Sequence, residues 1–339
     1  MEYVPNLLFA IALIVGIGFF TRNVKKLSRN IKLGKDVDVS DNKSQRWKNM
    51  ARIALGQSKM VVRPVAGLMH IIVYVGFIII NIEVLEIVLD GLLGTHRLFA
   101  SLGSVYNFLI GSFEVLALLV IVAVVVFWIR RNIIRLQRFI KPEMEGWPKK
   151  DGNMILYIEL VLMTLFLTMN AADFQLQQMG AEHYARAGSF PISQFIVPLL
   201  DGLSTSTLVI VERTAWWLHI LGILAFLNYL YYSKHLHILL AFPNTYYGKV
   251  KPKGALNNLQ SVTNEVKLMM DPNADPFAAP PEGSEAAVPE KFGASDVMDL
   301  NWVQLLNAYT CTECGRCTSE CPANLTGKKL SPRKIMMDT

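Results

Sequence analysis

Apolar residues in this chain come in long blocks, separated by polar and mostly basic stretches. Five blocks stand out, at 4–20, 65–89, 105–129, 154–171 and 208–232, the last extending toward 242. Each approaches the ~20 residues that a helix needs to cross ~30 Å of hydrocarbon. The pattern predicts five transmembrane helices, with the first and fourth the shortest. After Pro243 the character changes, and 244–300 is polar and rich in Pro, Ala, Gly and Glu. Within it, 271–293 has neither a helical nor a strand period and reads as an extended linker. A short helix at 302–309 leads into the final segment, and another begins within 326–337. No internal repeat is present. The expected organisation is a membrane domain at 1–243, a linker at 244–300 and a small domain at 301–339.

Composition agrees with the blocks. The chain has 339 residues, is 52% hydrophobic and has a mean hydropathy of +0.34, which is too apolar for a soluble protein. The first block reads as an anchored helix and not as a cleaved signal peptide, because its positive charges (Arg22, Lys25, Lys26 and Arg29) follow the apolar core instead of preceding it.

Charge sets the orientation. Residues 21–63 hold twelve Lys/Arg against three Asp, and 130–150 hold seven against two Glu. By contrast, 90–104 holds only Arg97 and 172–207 only Arg186. Basic loops face the cytoplasm, so the N-terminus is expected outside and the C-terminus inside. The net charge of +6 follows from these loops and points to topology and lipid contact, not to nucleic acid.

The cysteines add chemistry. All four lie near the end, at Cys311, Cys314, Cys317 and Cys321, with Pro322 following. The spacing C-x2-C-x2-C-x3-C-P is that of a bacterial ferredoxin loop around a 4Fe–4S cluster. Structural zinc favours two C-x2-C pairs far apart, and disulfides need an oxidising compartment, so neither fits. Gly315 suits a sharp turn over sulfur, and Pro322 redirects the chain after the fourth ligand. In two-cluster ferredoxins the fourth cysteine serves the other cluster. Either all four close one cluster, a partner chain supplies a ligand, or a second run belongs to this sequence; the last is favoured. The expected fold is thus an all-α integral membrane bundle of five transmembrane helices, N-terminus out and C-terminus in. A small cytoplasmic ferredoxin-like α-helical iron–sulfur domain follows it.

The spans also carry histidines. His70 lies six residues inside Pro64, and His237 six residues before Pro243. At 1.5 Å per residue both sit ~9 Å below the cytoplasmic boundary on antiparallel helices. Two imidazoles at one depth on facing helices match the axial ligands of a b-type haem. His219 and His237 are eighteen residues apart, five turns of a continuous helix, and so share a face. His235 is the alternative to His237, at a less favourable phase. His219 is a possible ligand of a second haem, with His96 folding back to join it, or part of a quinone site. Carboxylates in membranes often mark proton routes, and Glu83 and Glu86 are the proton or quinone candidates beside His219, unless they simply meet the interface. Glu114 and Glu159 are the other intramembrane acids.

On these residues the first part of the chain resembles the nitrate reductase gamma-subunit type of membrane cytochrome b. That family carries two histidine ligands eighteen residues apart on its last helix, as His219 and His237 stand here. It carries two more, ten apart, on an earlier helix, where only His70 matches and position 80 is Ile. The resemblance implies that His70 pairs with His237. The tail, "CTECGRCTSECPANLTGKKLSP", resembles the ferredoxin-type domain of heterodisulfide-reductase-related iron–sulfur proteins. Fusions of the two parts occur among membrane (Fe–S)-binding oxidoreductases, which generally carry a second cysteine run.

The expected function is electron transfer between a quinone pool and a cytoplasmic partner, an iron–sulfur or flavin protein, across a bacterial inner membrane. The carriers would be haem b and the 4Fe–4S cluster. The alternative is a haem-free anchor that docks an iron–sulfur domain onto a larger redox complex. No nucleophile–base constellation or phosphate-binding glycine loop is present, and no broken-helix repeat suggests a transporter.

Overall fold

The computed structural model describes residues 3–252, 254–256, 258–273 and 293–339. Most of the extended stretch expected at 271–293 lies outside them. Five helices are long and apolar enough to span a membrane: α1 (Val4–Ile31), α3 (Pro64–Leu93), α4 (Ser104–Asn132), α5 (Trp147–Gln178) and α6 (Thr205–Tyr229). Between α1 and α3 lies α2 (Lys43–Met50), which runs on into a wide turn at Ala51–Leu55. Beyond the bundle come α7 (His237–Tyr246), α8 (Gln260–Met270), α9 (Trp302–Tyr309), α10 (Arg316–Ser319), α11 (Pro322–Leu325) and α12 (Pro332–Asp338). Among the described residues no strand forms, and one isolated bridge joins Lys35 to Asn301.

The spans alternate in direction. α4 and α5 form the centre, where Tyr106, Ile110, Phe113 and Ala117 pack against Phe166 and Leu167. α1 is peripheral and leaves Ile14 and Phe19 on its outer face exposed. Lipid is as apolar as these side chains, so close packing and polar contacts hold such helices together, not the hydrophobic effect. One end of the bundle gathers the basic segments 32–63 and 133–146 with α7, α9 and the cysteine run. The other gathers the loops at 94–103 and 179–204.

The first and fourth spans are longer than the pattern predicts. α1 continues through its basic residues to Ile31, and α5 starts at Trp147, well before the apolar run. A larger correction concerns the fifth span. It does not continue to 242. A tight turn at Leu230–Tyr232 ends α6, and Ser233 is extended (φ −109°, ψ 150°). Asp151 makes the break possible. Its Oδ1 accepts the Tyr229 hydroxyl at 2.6 Å and its Oδ2 accepts the Lys234 backbone N–H at 3.1 Å, a donor the interrupted helix leaves unpaired. His219 and His237 therefore do not share one helix face. Pro243 does not end the fifth span but lies inside α7. A helix at α8 also interrupts the polar stretch read as linker.

The final segment is tied to the basic end. The Lys35 N–H donates to Leu300 O at 2.9 Å and the Trp302 N–H donates to Lys35 O at 3.1 Å. Gly34 permits this approach, since a Cβ there would lie 2.5 Å from the Trp302 nitrogen. α9 forms where the sequence predicts it, because Asn301 and Gln304 close a capping box.

Candidate functional site

The break after α6 turns α7 across the end of the bundle and carries His237 to α3. The His70 and His237 rings stand 6.4 Å apart between centroids, inclined at 39°. Metal–nitrogen bonds of ~2.0 Å on both sides of one iron would put the centroids ~6.3 Å apart. The His237 Nδ1–H donates to Lys234 O at 3.0 Å, which leaves Nε2 with its lone pair free to ligate. Burial holds His237 below the usual imidazole range, with that hydrogen bond opposing, so the neutral form predominates. His70 Nδ1 is buried with no hydrogen-bond partner. His235 stands 5.4 Å from His237, against Phe226, and its Nδ1 is likewise buried and unpaired. Burial, then His237 and Lys234, push His235 far below the ordinary value.

The cysteine loop rests on this cluster. Lys234, between Ser233 and His235, pairs with Glu313, between Cys311 and Cys314. The same ammonium donates to Pro148 O at 2.7 Å and lies 3.8 Å from Asp151. Arg316 reaches Met60 Sδ at 3.2 Å, beside the start of α3. Behind the loop, the buried Arg333 donates to Arg138 O at 2.6 Å and to Glu143 Oε1 at 2.7 Å. Ser331 donates to that same oxygen at 2.8 Å. α12 is thus pinned to the connector between α4 and α5.

Cys311, Cys314 and Cys321 are half-buried, Cys317 is exposed, and all four are free thiols. Left-handed backbone at Glu313 (φ 53°) and Gly315 (φ 74°) curls the loop. The Glu313 N–H donates to Cys311 Sγ at 3.4 Å, a contact that favours a thiolate, while burial pushes that thiol up. Among the described residues no three His, Cys, Asp or Glu side chains converge on a single-ion site. A cubane differs, because each thiolate binds a different iron and the sulfurs stand wider apart. The spacing of the four thiols along the chain is that of a ferredoxin loop around such a cluster.

The remaining candidates lie elsewhere. His219 sits halfway along α6, fully buried, where its Nδ1–H donates to Leu162 O at 3.0 Å and its ring meets Phe166. His96 is not its partner. It packs on Tyr184 and lies 3.5 Å from Asp173. Glu114 accepts from Asn170, Ile192 and Ser193 and so anchors the loop after α5. Glu83 and Glu86 are buried at the far end of α3, within a charged network whose centre is Arg97. The Arg97 guanidinium meets Asp173 at 2.5 Å, Tyr106 at 3.0 Å and Asn170 at 3.0 Å. Burial alone would lower Arg97, but Asp173 and its neighbours hold it well above its ordinary value. Sequence reasoning missed Arg97, Asp173, Glu212, Lys234, Glu313 and Arg333. A signal existed for the first three, which are opposite charges close to one end of different spans.

No known family pattern and no solved structure matches the chain. Curated proteins do. The chain is 28% identical over 331 residues to the probable iron-sulfur-binding oxidoreductase FadF of Bacillus subtilis, covering 98% of this chain and 42% of that protein. It is 25% identical over 335 residues to the EtfAB:quinone oxidoreductase of Syntrophomonas wolfei, covering 96% and 42%. A stretch of 47 residues is 41% identical to a probable membrane-anchored ferredoxin of Chromohalobacter salexigens, covering 14% of this chain and 7% of that protein. The chain therefore spans less than half the length of the two relatives that it matches from end to end, both of them proteins named as oxidoreductases.

Proposed function

We propose that this chain is a membrane electron-transfer protein. It would exchange electrons between a quinone pool and a partner at its basic, cytoplasmic face, through a haem b on His70 and His237 and a 4Fe–4S cluster on Cys311, Cys314 and Cys317, with Cys321 either the fourth ligand of that cluster or a ligand of a second one. The observation that carries the reading is the 6.4 Å approach of His70 to His237, a residue close in sequence to Lys234, whose ion pair with Glu313 docks the cysteine loop. When bound, the two groups supply one-electron carriage. The chain's own residues do the rest. Lys234 fixes the His237 tautomer through its carbonyl and holds the loop through its ammonium. Arg333 and Glu143 keep the loop from swinging away. The quinone is supported by the printed name of the Syntrophomonas relative, and iron–sulfur binding by that of the Bacillus one.

A haem-free anchor is the competing reading, supported by the match to a protein named as a membrane-anchored ferredoxin. Cofactor analysis of the purified membrane protein separates the two. Pyridine haemochrome together with iron and sulfide content is expected to give both groups, and His70→Ala to lose the haem while keeping the cluster. Iron and sulfide without haem in the native protein would refute the cytochrome half.

A further inference from the structure

At the end of the bundle opposite the cysteine run, α1, α3, α5 and α6 enclose a cavity of about 380 Å³. That is the size of an organic-ligand site and larger than an ion or a single water needs. One wall is aromatic. Phe9 stands 5.2 Å from Trp216 and 6.0 Å from Trp217 between ring centroids. The other wall carries Glu83, His96 and Arg97.

Several of the charged groups there are paired within the protein. Arg97 is committed to Asp173, Tyr106 and Asn170. Glu86 accepts the Phe99 N–H at 2.8 Å and the Tyr106 hydroxyl at 3.0 Å. Glu212 is held by Tyr184 and Arg213. Glu83 is only 3% exposed, and its Oε2 is buried with no hydrogen-bond partner. Glu83 lines the cavity and its Oε2 has no partner within the protein, so a ligand there would bond to its carboxyl group once a rotation of that group brings the oxygen round to the space. The ligand must combine a flat apolar body, to lie on Phe9 and Trp216, with a hydroxyl at its edge.

We infer that this cavity binds the headgroup of a membrane quinol, with a ring hydroxyl donating to Glu83 and the ring against Trp216 and Phe9. The inference rests on the quinone-linked reading above and adds the place. A second space, an apolar groove between α1 and α6 lined by Ala12, Val15, Leu221 and Ala225, is the rival location.

The test uses the full-length membrane protein with both cofactors. A photoreactive azidoquinone, in benzoquinone and naphthoquinone forms, is crosslinked and the labelled peptides are mapped. Label is expected within 83–97 or 212–217. Glu83→Gln, nearly isosteric, is expected to raise the Kd of the matching quinol about tenfold, the worth of one well-formed hydrogen bond. Label confined to 12–23 or 221–232 would overturn the inference and leave the electron-transfer reading intact. So would an unchanged Kd in Glu83→Gln while quinol still reduces the bound cofactors. A native protein that neither takes label nor accepts electrons from any quinol would overturn both.

Discussion

Gly315 turns the cysteine loop between its second and third thiols, and replacing it with alanine tests how rigidly that loop is held. Two effects add. The residue has φ +74°, where a side chain costs about 1 kcal/mol relative to glycine. A Cβ there would also lie 2.6 Å from Nη1 of Arg333. Arg333 has no room to retreat, being 1% exposed and bonded to Arg138 O and Glu143. Displacing it forfeits a hydrogen bond from a charged group, worth about 1.5–3 kcal/mol. Gly315→Ala should therefore weaken local closure by about 2.5–4 kcal/mol, which raises opening of the segment by roughly two to three orders of magnitude. Gly327→Ala is the control, since Gly327 has φ +85° but no atom within 4 Å of its would-be Cβ. It bears the backbone cost alone. The assay is hydrogen exchange of peptides spanning 311–338, read beside iron and sulfide content. Gly315→Ala should exchange far faster than Gly327→Ala and lose cluster to a chelator sooner. Equal behaviour of the two variants would refute the packing of Arg333 behind the loop.

Three further outcomes follow from buried charge. Arg97→Met strands Asp173 without its cation and should cost about 3–5 kcal/mol, read as a fall in the thermal midpoint in detergent. Lys234→Met leaves Glu313 and the 2%-exposed Asp151 uncompensated; faster exchange at 311–317 is expected, at a cost of about 2 kcal/mol. Burial opposes ionisation of Glu143, but its bonds to Arg333 and Ser331 prevail and hold it below the usual carboxylate range. The stability it lends is full above an unfolded pKa of about 4.3 and is lost as pH falls through the lower folded value. Acidification should therefore release α12 in the native protein, and Glu143→Gln should remove that pH step.

Much of the architecture was legible because membrane spans are written in contiguous apolar runs. The proximity of His70 and His237 was legible, but for a reason that proved only partly right. Equal depth was argued from Pro64 and Pro243, and the rings do meet, but through the break at Ser233 and not along one continuous helix. That break could not be read locally. Residues 230–236 carry no glycine or proline, and the turn depends on Asp151, about eighty residues away, to accept a stray N–H. Arg97 was misread for a similar reason. Counted as one charge in an outer loop, it said only which side was less basic. Its partners Asp173, Tyr106 and Asn170 come from two other helices, and only packing brings them together. Glu313 and Lys234 lie 79 residues apart, and neither is distinctive until α7 turns across the bundle.

The two polar centres lie at opposite ends of the spans, and that separation gives the molecule a relation to voltage. Glu83 and His70 are thirteen residues apart on one helix, about 20 Å along its axis. In the proposed orientation, an electron passed from the cavity end to the histidine pair moves toward the negative side of an energised membrane. Each such transfer works against about 2.3 kcal/mol for every 100 mV that it crosses. Protons left behind would emerge on the opposite face. Electron flow from quinol would then charge the membrane, and flow toward quinone would draw on that charge. The membrane potential itself would thereby help to set the direction of turnover.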